Sequence, residues 1–313
     1  MPIQKTYTDS PFTSEVHCPA AVTPFDKNGD LMVDEFKEVL RFHLDVNRVD
    51  AFLIAGDNGE GYTLSTDELA RVTRTAAEEI GKRVPFYVHV TRTSNAESLE
   101  RARAAAAAGA YGICLMPQPY IHKATLAEIV ARYAMVAKAV PLPMMVYNSP
   151  NHTQIEMSTD VLRSVCDVAP IEAVKDGSRD FVHITEMIEN FGHRFPFLYG
   201  GRMTLVPTLL LGAGGLVSTG PELFGSRVRE LFEVHDMTPE QRLDVHVRYG
   251  TVNHAVLETV TPPAGIKAGL NLIGVPAGVP REPVQALSAD EEARIRDVLV
   301  SVGILEGPLA KTT

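Results

Sequence analysis

Tryptophan is absent from the 313 residues, and cysteine is scarce. The three cysteines, Cys18, Cys114 and Cys166, are odd in number and widely spaced, and no Cys-x-x-Cys occurs. This excludes a disulfide scaffold, a zinc ribbon and a dithiol redox motif. Cys18 and Cys114 fall in apolar runs, so buried free thiols in a reducing compartment are expected. Positive charge is also short: 29 Lys and Arg against 39 Asp and Glu give a formal net charge of −10. Nucleic-acid binding requires a basic footprint, which this chain lacks. No apolar run reaches the ~18 residues of a membrane span, and Met1 to His17 is polar, without the apolar centre of a leader. A cytoplasmic protein with neither nucleic-acid nor membrane partners is expected. The ten histidines are scattered. Only His89 stands at an expected strand end, too few ligands for metal catalysis. Asp26-Lys27-Asn28-Gly29-Asp30 opens like a calcium loop, but Leu31 and Lys37 occupy its sixth and twelfth positions, where glycine and glutamate are needed.

What is present is an alternation of strand-like and helix-like segments with a repeat of roughly 20–35 residues, the signature of βα units. Strands are expected at Cys18 to Val22, Ala51 to Ala55, Val84 to Val90, Gly112 to Met116, Pro143 to Asn148, Ile171 to Asp176, Pro196 to Tyr199 and Gly215 to Ser218. Between them, helices announce themselves by caps. Ser65-x-x-Glu68, Ser94-x-x-Glu97 and Thr125-x-x-Glu128 are capping boxes. Phe36, Val39, Leu40 and Leu44 make one face of a helix from Val33 to about Val46. Eight strands favour a (β/α)8 barrel over a doubly wound open sheet. After Ser218 the pattern is helical, with Thr238-Pro239-Glu240-Gln241 and Ser288-x-x-Glu291 as helix starts. The expected division is a barrel over 1–235 and a helical appendage over 236–313, packed on it with no linker between.

The chemistry concentrates at two strand ends. A strand buried on both faces reads as continuously apolar, yet Ile171-Glu172-Ala173-Val174 ends in Lys175. One βα unit earlier, Met144-Met145-Val146 ends in Tyr147. In a parallel barrel the strand carboxyl ends share one mouth. Lys175 there has two readings: an ordinary ion pair with Asp176 or Glu172, or an amine that attacks a ketone to form a Schiff base. The second needs its pKa brought from about 10.4 to about 7, a bias of roughly 4–5 kcal/mol. The residues alone leave both open. Tyr147 is either a packed tyrosine or a proton carrier. The turn Gly56-Asp57-Asn58-Gly59-Glu60-Gly61 follows a strand and has two readings, a simple tight turn or a set of backbone N–H groups that hold a carboxylate or phosphate. Its glycine spacing is not that of a dinucleotide fingerprint.

Thr23-Pro24-Phe25, Gly56-x-x-Gly59-Glu60, Tyr147-Asn148-x-Pro150, Val174-Lys175-Asp176 and Gly215-x-Val217-Ser218 occur in this order. With them the chain resembles the dihydrodipicolinate synthase / N-acetylneuraminate lyase family of class I, pyruvate-type aldolases. The likeness extends to the helical tail, with Arg281-x-Pro283. It implies a Schiff base between Lys175 and a 2-oxo acid, with no metal or organic cofactor. Tyr147 would relay the proton, Asn58 and Gly59 would hold the substrate carboxylate, and Val217 would line the pocket through its backbone. It further implies a homodimer or homotetramer in which Tyr120 enters a neighbouring site. Where the family carries paired hydroxyl residues, this chain has Asp57 and Asn58. Asp57 would repel a carboxylate, so it is expected to accept a hydrogen bond from Tyr147 and to raise its basicity. The synthase branch carries an arginine where this chain has His152, which argues against a lysine-biosynthetic synthase. Arg202 after the seventh strand has two readings, a surface salt bridge or a partner for a distal carboxylate. The expected function is a lyase, aldolase or dehydratase, acting on a 2-keto-3-deoxy sugar acid, a 4-hydroxy-2-oxo acid, or pyruvate plus an aldehyde. Dihydrodipicolinate synthase proper and a non-catalytic keto-acid-binding barrel are the alternatives.

Overall fold

The computed structural model describes residues 6–121, 123–201 and 204–307. Eight parallel strands form the core: β1 Val16–Pro19, β2 Phe52–Ile54, β3 Phe86–His89, β4 Gly112–Leu115, β5 Met144–Asn148, β6 Ile171–Asp176, β7 Phe197–Tyr199 and β8 Gly215–Ser218. The ladder runs β1-β8-β7-β6-β5-β4-β3-β2. A parallel bridge between Ala20 and Leu53 joins its two ends. The sheet is therefore a (β/α)8 barrel and not an open doubly wound sheet. The first strand lies earlier than expected, because β1 pairs with β8 from Val16↔Gly215 to Pro19↔Ser218. The residues after it, Ala20 and Ala21, close the barrel on β2 instead, with Ala21 N–H donating to Leu53 O at 3.0 Å.

Side chains alternate across the strands, as the strand period requires. Cys18, Leu53, Tyr87, Cys114, Met145, Tyr147, Ala173, Leu198 and Val217 fill the barrel interior. Their neighbours Ile54, Val88, Leu115, Val146, Val174, Phe197 and Leu216 belong to the larger core between barrel and helices. Both faces are apolar, which explains the near-continuous hydrophobic runs in the sequence.

The helices are α1 Val33–Arg41, continued by a π turn Phe42–Val46; α2 Thr66–Ile80; α3 Asn95–Ala107; α4 Leu126–Ala139; α5 Pro150–Thr153; α6 Thr159–Cys166; α7 Phe181–Phe191; and α8 Leu205–Leu210. A 3-10 stretch, Pro221–Asp236, follows β8. Three more helices come after it: α9 Pro239–Leu257, α10 Ala264–Leu272 and α11 Ala289–Ser301. The capping boxes at Ser65, Thr125, Thr238 and Ser288 are complete. That at Ser94 is half made: its hydroxyl accepts from Glu97 N–H, while the hydroxyl of Ser98 takes the Ser94 carbonyl.

Alanine-rich α3 buries little side-chain volume, but it contributes Arg101, which is buried and donates to the carbonyls of Leu64 (2.8 Å) and Gly61 (3.0 Å). Arg92 donates to the same two oxygens. From the other side Lys267 of α10, 1% exposed, pairs with fully buried Glu60 at 2.5 Å, and Arg281 N–H donates to Glu60 Oε2 at 2.7 Å. Burial draws the Lys267 ammonium down to about 8 and lifts the Glu60 carboxyl, each offset by the partner's charge. The loop after β2 is thus clamped by cations from both the barrel helices and the C-terminal helices.

Behind β8, His17 Nε2 lies 3.0 Å from Ser218 Oγ, and fully buried Glu222 meets the same hydroxyl. Burial lifts the Glu222 carboxyl to about 7.

Two stability outcomes follow from these buried charges. Lys267→Met leaves Glu60 buried without its ammonium, and urea unfolding should show a loss of about 3–5 kcal/mol. Adding Glu60→Gln should recover part of it, and a single variant as stable as the parent would show that the clamp contributes nothing. For Glu222, the folded state keeps a proton that the unfolded chain releases above the ordinary glutamate pKa. Its stabilising share is full below that value and is lost as pH rises through about 7. Glu222→Gln should flatten the fall in melting temperature over that window, and an unchanged fall would assign it to other groups.

Candidate active site

The carboxyl ends of the strands surround a cavity of about 210 Å³ whose wall includes Asp57, Asn58, Tyr147, Ser149, Asn151, His152, Lys175, Gly200, Val217 and Thr219. It adjoins a larger cavity of about 490 Å³ lined by Arg179, Tyr199, Thr204, Asn253 and Glu258, and the two share Asn151, Gly177, Gly200, Leu257 and Pro262. Leu257 and Pro262 come from the C-terminal helical region, so that region forms part of the wall.

Strand register places Tyr147 directly beside Lys175. Lys175 has the same facing as Ala173 and points into the barrel, 6% exposed, with Nζ 3.8 Å from the centroid of the Tyr147 ring. Neither of the carboxylates considered as its surface partner bonds it. Asp176 faces outward, where it accepts from Asn148 Nδ2 (2.6 Å) and Ser178 N–H (2.8 Å) and meets His183 Nε2 at 3.3 Å. Glu172 accepts from the hydroxyls of Tyr87 (2.9 Å) and Tyr111 (3.1 Å). The rim ion pair is therefore not formed, and among the described residues the lysine makes no salt bridge, though it feels the charge of Asp57 across the cavity.

Tyr147 Oη donates to Asp57 Oδ2 at 2.7 Å. Burial acts against ionisation of Asp57. The positive fields of Lys175, His152 and His89, with the Tyr147 hydroxyl, outweigh it and hold the carboxyl below its usual range. The reverse holds for Tyr147: burial, then the Asp57 charge and hydrogen bond, push the phenol well above its usual range. At neutral pH the pair is a carboxylate and a phenol. His89 sits edge-on to the Tyr147 ring at 5.9 Å between centroids. Burial lowers its pKa to about 4, so it is neutral, and its buried Nε2 has no partner among the described residues.

The turn bearing Asp57 is tight. A side chain at Gly59 would come within 2.8 Å of Ala21 O, which restricts the position to glycine. Thr23 Oγ1 donates to Gly59 O at 2.7 Å, so Thr23 and Gly59 support the turn from beneath instead of lining the cavity. Among the described residues, no acceptor meets the N–H groups of Asn58 and Gly59. The Asn58 amide donates to Thr219 Oγ1 at 2.6 Å, and Asn253 Nδ2 donates to Thr219 O at 2.6 Å. Asn58 thus ties the β2 turn to the end of β8 and to α9. Val217 lines the cavity. His152 lines it too, half exposed, with Nδ1 2.6 Å from Ser149 Oγ and Nε2 4.0 Å from Asp57 Oδ2. Tyr120 is 81% exposed and does not line the cavity of its own chain. Arg202 lies outside the described residues. Sequence reasoning missed Ser149, Thr219, Leu257 and Pro262. Ser149 was legible as a hydroxyl within the Tyr-Asn-x-Pro segment and Thr219 as a polar residue after a strand, but Leu257 and Pro262 carry no local signal.

A parallel barrel with a buried lysine against a tyrosine at its mouth is the architecture of the class I aldolase type, whose members are lyases and synthases. The chain matches the model of the Dihydrodipicolinate synthetase family over residues 14–301 and belongs to that family. It is 33% identical over 294 residues to 4-hydroxy-tetrahydrodipicolinate synthase of Corynebacterium aurimucosum, covering 91% of this chain and 94% of the relative. Among solved structures, dihydrodipicolinate synthase from Cyanidioschyzon merolae with lysine bound superposes with a TM-score of 0.84 at 28% identity, over 93% of this chain and 99% of that one. The Bacillus anthracis dihydrodipicolinate synthase gives 0.85 at 25% identity, over 92% and 98%.

Replacing Asp57 by Asn removes the charge that, after burial, pushes the Tyr147 phenol upward. The phenol of the Asp57→Asn variant should titrate at lower pH, read by ultraviolet difference absorbance against the same variant carrying Tyr147→Phe. An unmoved titration would show that the two groups are not coupled.

Proposed function

We propose that this enzyme binds a 2-oxo acid as a Schiff base on Lys175 and makes or breaks a bond next to the resulting enamine. The observation that carries the reading is the buried Lys175 amine, which among the described residues makes no salt bridge and lies against the Tyr147 ring. Attack of Nζ on the C2 carbonyl gives a carbinolamine. The carbonyl oxygen takes a proton from Tyr147 and leaves as water after a second protonation. The N–H group of Asn58, on the cavity wall, receives the substrate carboxylate, and the Val217 backbone borders the pyruvyl group. Asp57 takes the place of a hydroxyl partner of Tyr147. By stabilising the phenol it makes the phenolate a stronger base. The lysine is the electron sink, so this chemistry needs no metal or organic cofactor.

The substrate class that fits best is a 4-hydroxy-2-oxo acid or a 2-keto-3-deoxy sugar acid. The 490 Å³ cavity beyond the lysine has room for the rest of such a chain and offers Thr204, Asn253 and Arg179 as polar contacts. A second reading, 4-hydroxy-tetrahydrodipicolinate synthase itself, is favoured by the names of the relatives. His152, in place of the arginine of the synthase branch, speaks for another carbonyl partner. The same resemblance supports a homodimer or homotetramer with exposed Tyr120 at a subunit contact. Buried free Cys18 and Cys114 fit a cytoplasmic enzyme, and no helix of the described residues is long and apolar enough to cross a membrane.

Incubation with pyruvate and borohydride should leave a reduced pyruvyl adduct, mapped by peptide mass to Lys175 and absent from Lys175→Met. A folded protein that yields no adduct would refute the Schiff-base reading in favour of a binding barrel.

A further inference from the structure

We propose that Arg179 reads a carboxylate at the far end of the substrate, so that the 2-oxo acid taken by this site is a diacid. This rests on the Schiff-base reading above and names the substrate class of the same site. Arg179 is exposed and lines the 490 Å³ cavity that adjoins the one holding Lys175. A cavity of that size lies within the ~300–1,000 Å³ of small-molecule sites. Gly177, Gly200 and Gly201 on its wall carry no side chains, which leaves the passage from the lysine open. A side chain at Gly201 would collide with the Tyr199 hydroxyl, so the opening is built into the loop after β7.

Among the described residues the Arg179 guanidinium makes no hydrogen bond and no salt bridge. The acids nearest it in sequence are turned to the backbone instead. Asp176 Oδ1 accepts from Ser178 N–H at 2.8 Å, and Asp180 caps α7 by accepting from the N–H groups of Val182 (2.9 Å) and His183 (3.2 Å). These bonds, with Gly177 N–H donating to Asn148 O at 2.9 Å, fix the loop that presents the arginine. The other charged residue on the wall is Glu258, whose Oε2 lies 3.0 Å from His254 Nδ1. A carboxylate there repels an anion and accepts from hydroxyl groups. It therefore favours a substrate with hydroxyls along its middle and its second negative charge at Arg179.

The two ends of the substrate are then assigned. Asn58 N–H takes the C1 carboxylate and Lys175 takes C2. Arg179 follows Lys175 by four residues, at most about 14 Å between Cα atoms, so a short carbon chain bridges the lysine and the guanidinium. The guanidinium fork matches a carboxylate in two parallel N–H···O bonds. A substrate ending in a methyl or hydroxymethyl group leaves that fork without its partner. Arg179 meets the substrate away from the reacting carbons, so it sets specificity and takes no part in bond making.

Borohydride trapping tests this without requiring turnover, because it reduces the Lys175 imine of any 2-oxo acid that enters, and intact mass counts the adduct. 2-Oxoglutarate and 2-oxoadipate carry the second carboxylate. 2-Oxopentanoate and 2-oxohexanoate have the same carbon numbers without it. In the wild type at least one diacid should reach half-labelling at about tenfold lower concentration than its counterpart, the scale of a charge-assisted hydrogen-bonded pair. Arg179→Met should abolish that ratio. Arg179→Lys, which keeps the charge without the fork, should retain part of it. Pyruvate ends short of Arg179 and should still label every variant, showing that the site is folded. Equal half-labelling by diacid and monoacid in the wild type, or a ratio kept in Arg179→Met, would overturn the role of Arg179 and leave the Schiff base standing. No pyruvate adduct in the wild type would overturn both.

Discussion

The turn from Gly56 to Gly61 has no sheet ladder to hold it, yet it carries the carboxylate on which Tyr147 depends. Buried charge gives it its shape. Glu60 is sealed against Lys267 and the Arg281 backbone, while Arg92 and Arg101 hold the carbonyls of Gly61 and Leu64. A buried ion pair is a weak source of stability, because desolvation consumes most of its attraction. What it supplies is position. With the turn pinned from both sides, Asp57 arrives 2.7 Å from the Tyr147 hydroxyl without a wide search of loop conformations. The pinning residues come from α3 and the loop before it and from α10 and the loop after it, so the C-terminal region shapes the site together with the barrel.

Charge at the mouth is distributed with the same economy. Two carboxylates next to Lys175 in sequence are withdrawn from it. Asp176 turns outward to Asn148 and His183, and Glu172 is held by two tyrosines at the other end of the strand. The carboxylate near the amine, Asp57, comes from the turn after β2 and is already occupied by a phenol. The amine therefore shares a cavity with a negative charge without being locked into a salt bridge. The neutral state of His89 keeps a further cation away from it.

The departures from the family pattern fall on contacting residues. Asp57 stands where a hydroxyl residue is usual, and it meets Tyr147. His152 stands where the synthase branch has arginine, and it lies between Asp57 and Ser149. Three positions read separately along the chain form one connected group in space. Their coupling explains how a carboxylate is accommodated in a site that must bind an anionic substrate: its charge is turned towards the tyrosine and the histidine.

Much of this was legible in the chain. Strand and helix periods, capping boxes and the misplaced Lys175 are local features, set by backbone sterics, by hydrogen bonds three or four residues apart and by side-chain alternation. Ile171–Asp176 and Gly215–Ser218 are strands over the residues expected, because two buried faces leave no ambiguity in an apolar run. The start of β1 was misjudged, since its limits follow from pairing with β8, some two hundred positions away. The facing of Asp176, the grip of Thr219 on Asn58, the place of Leu257 and Pro262 in the wall and the meeting of Ser149 with His152 were likewise unreadable. Each depends on the register of barrel closure, which brings together side chains that no sequence period relates. The sequence by itself determined the barrel, the lysine and its tyrosine. Tertiary structure alone decided which charges that lysine faces, because only closure of the sheet sets the distances between strand ends.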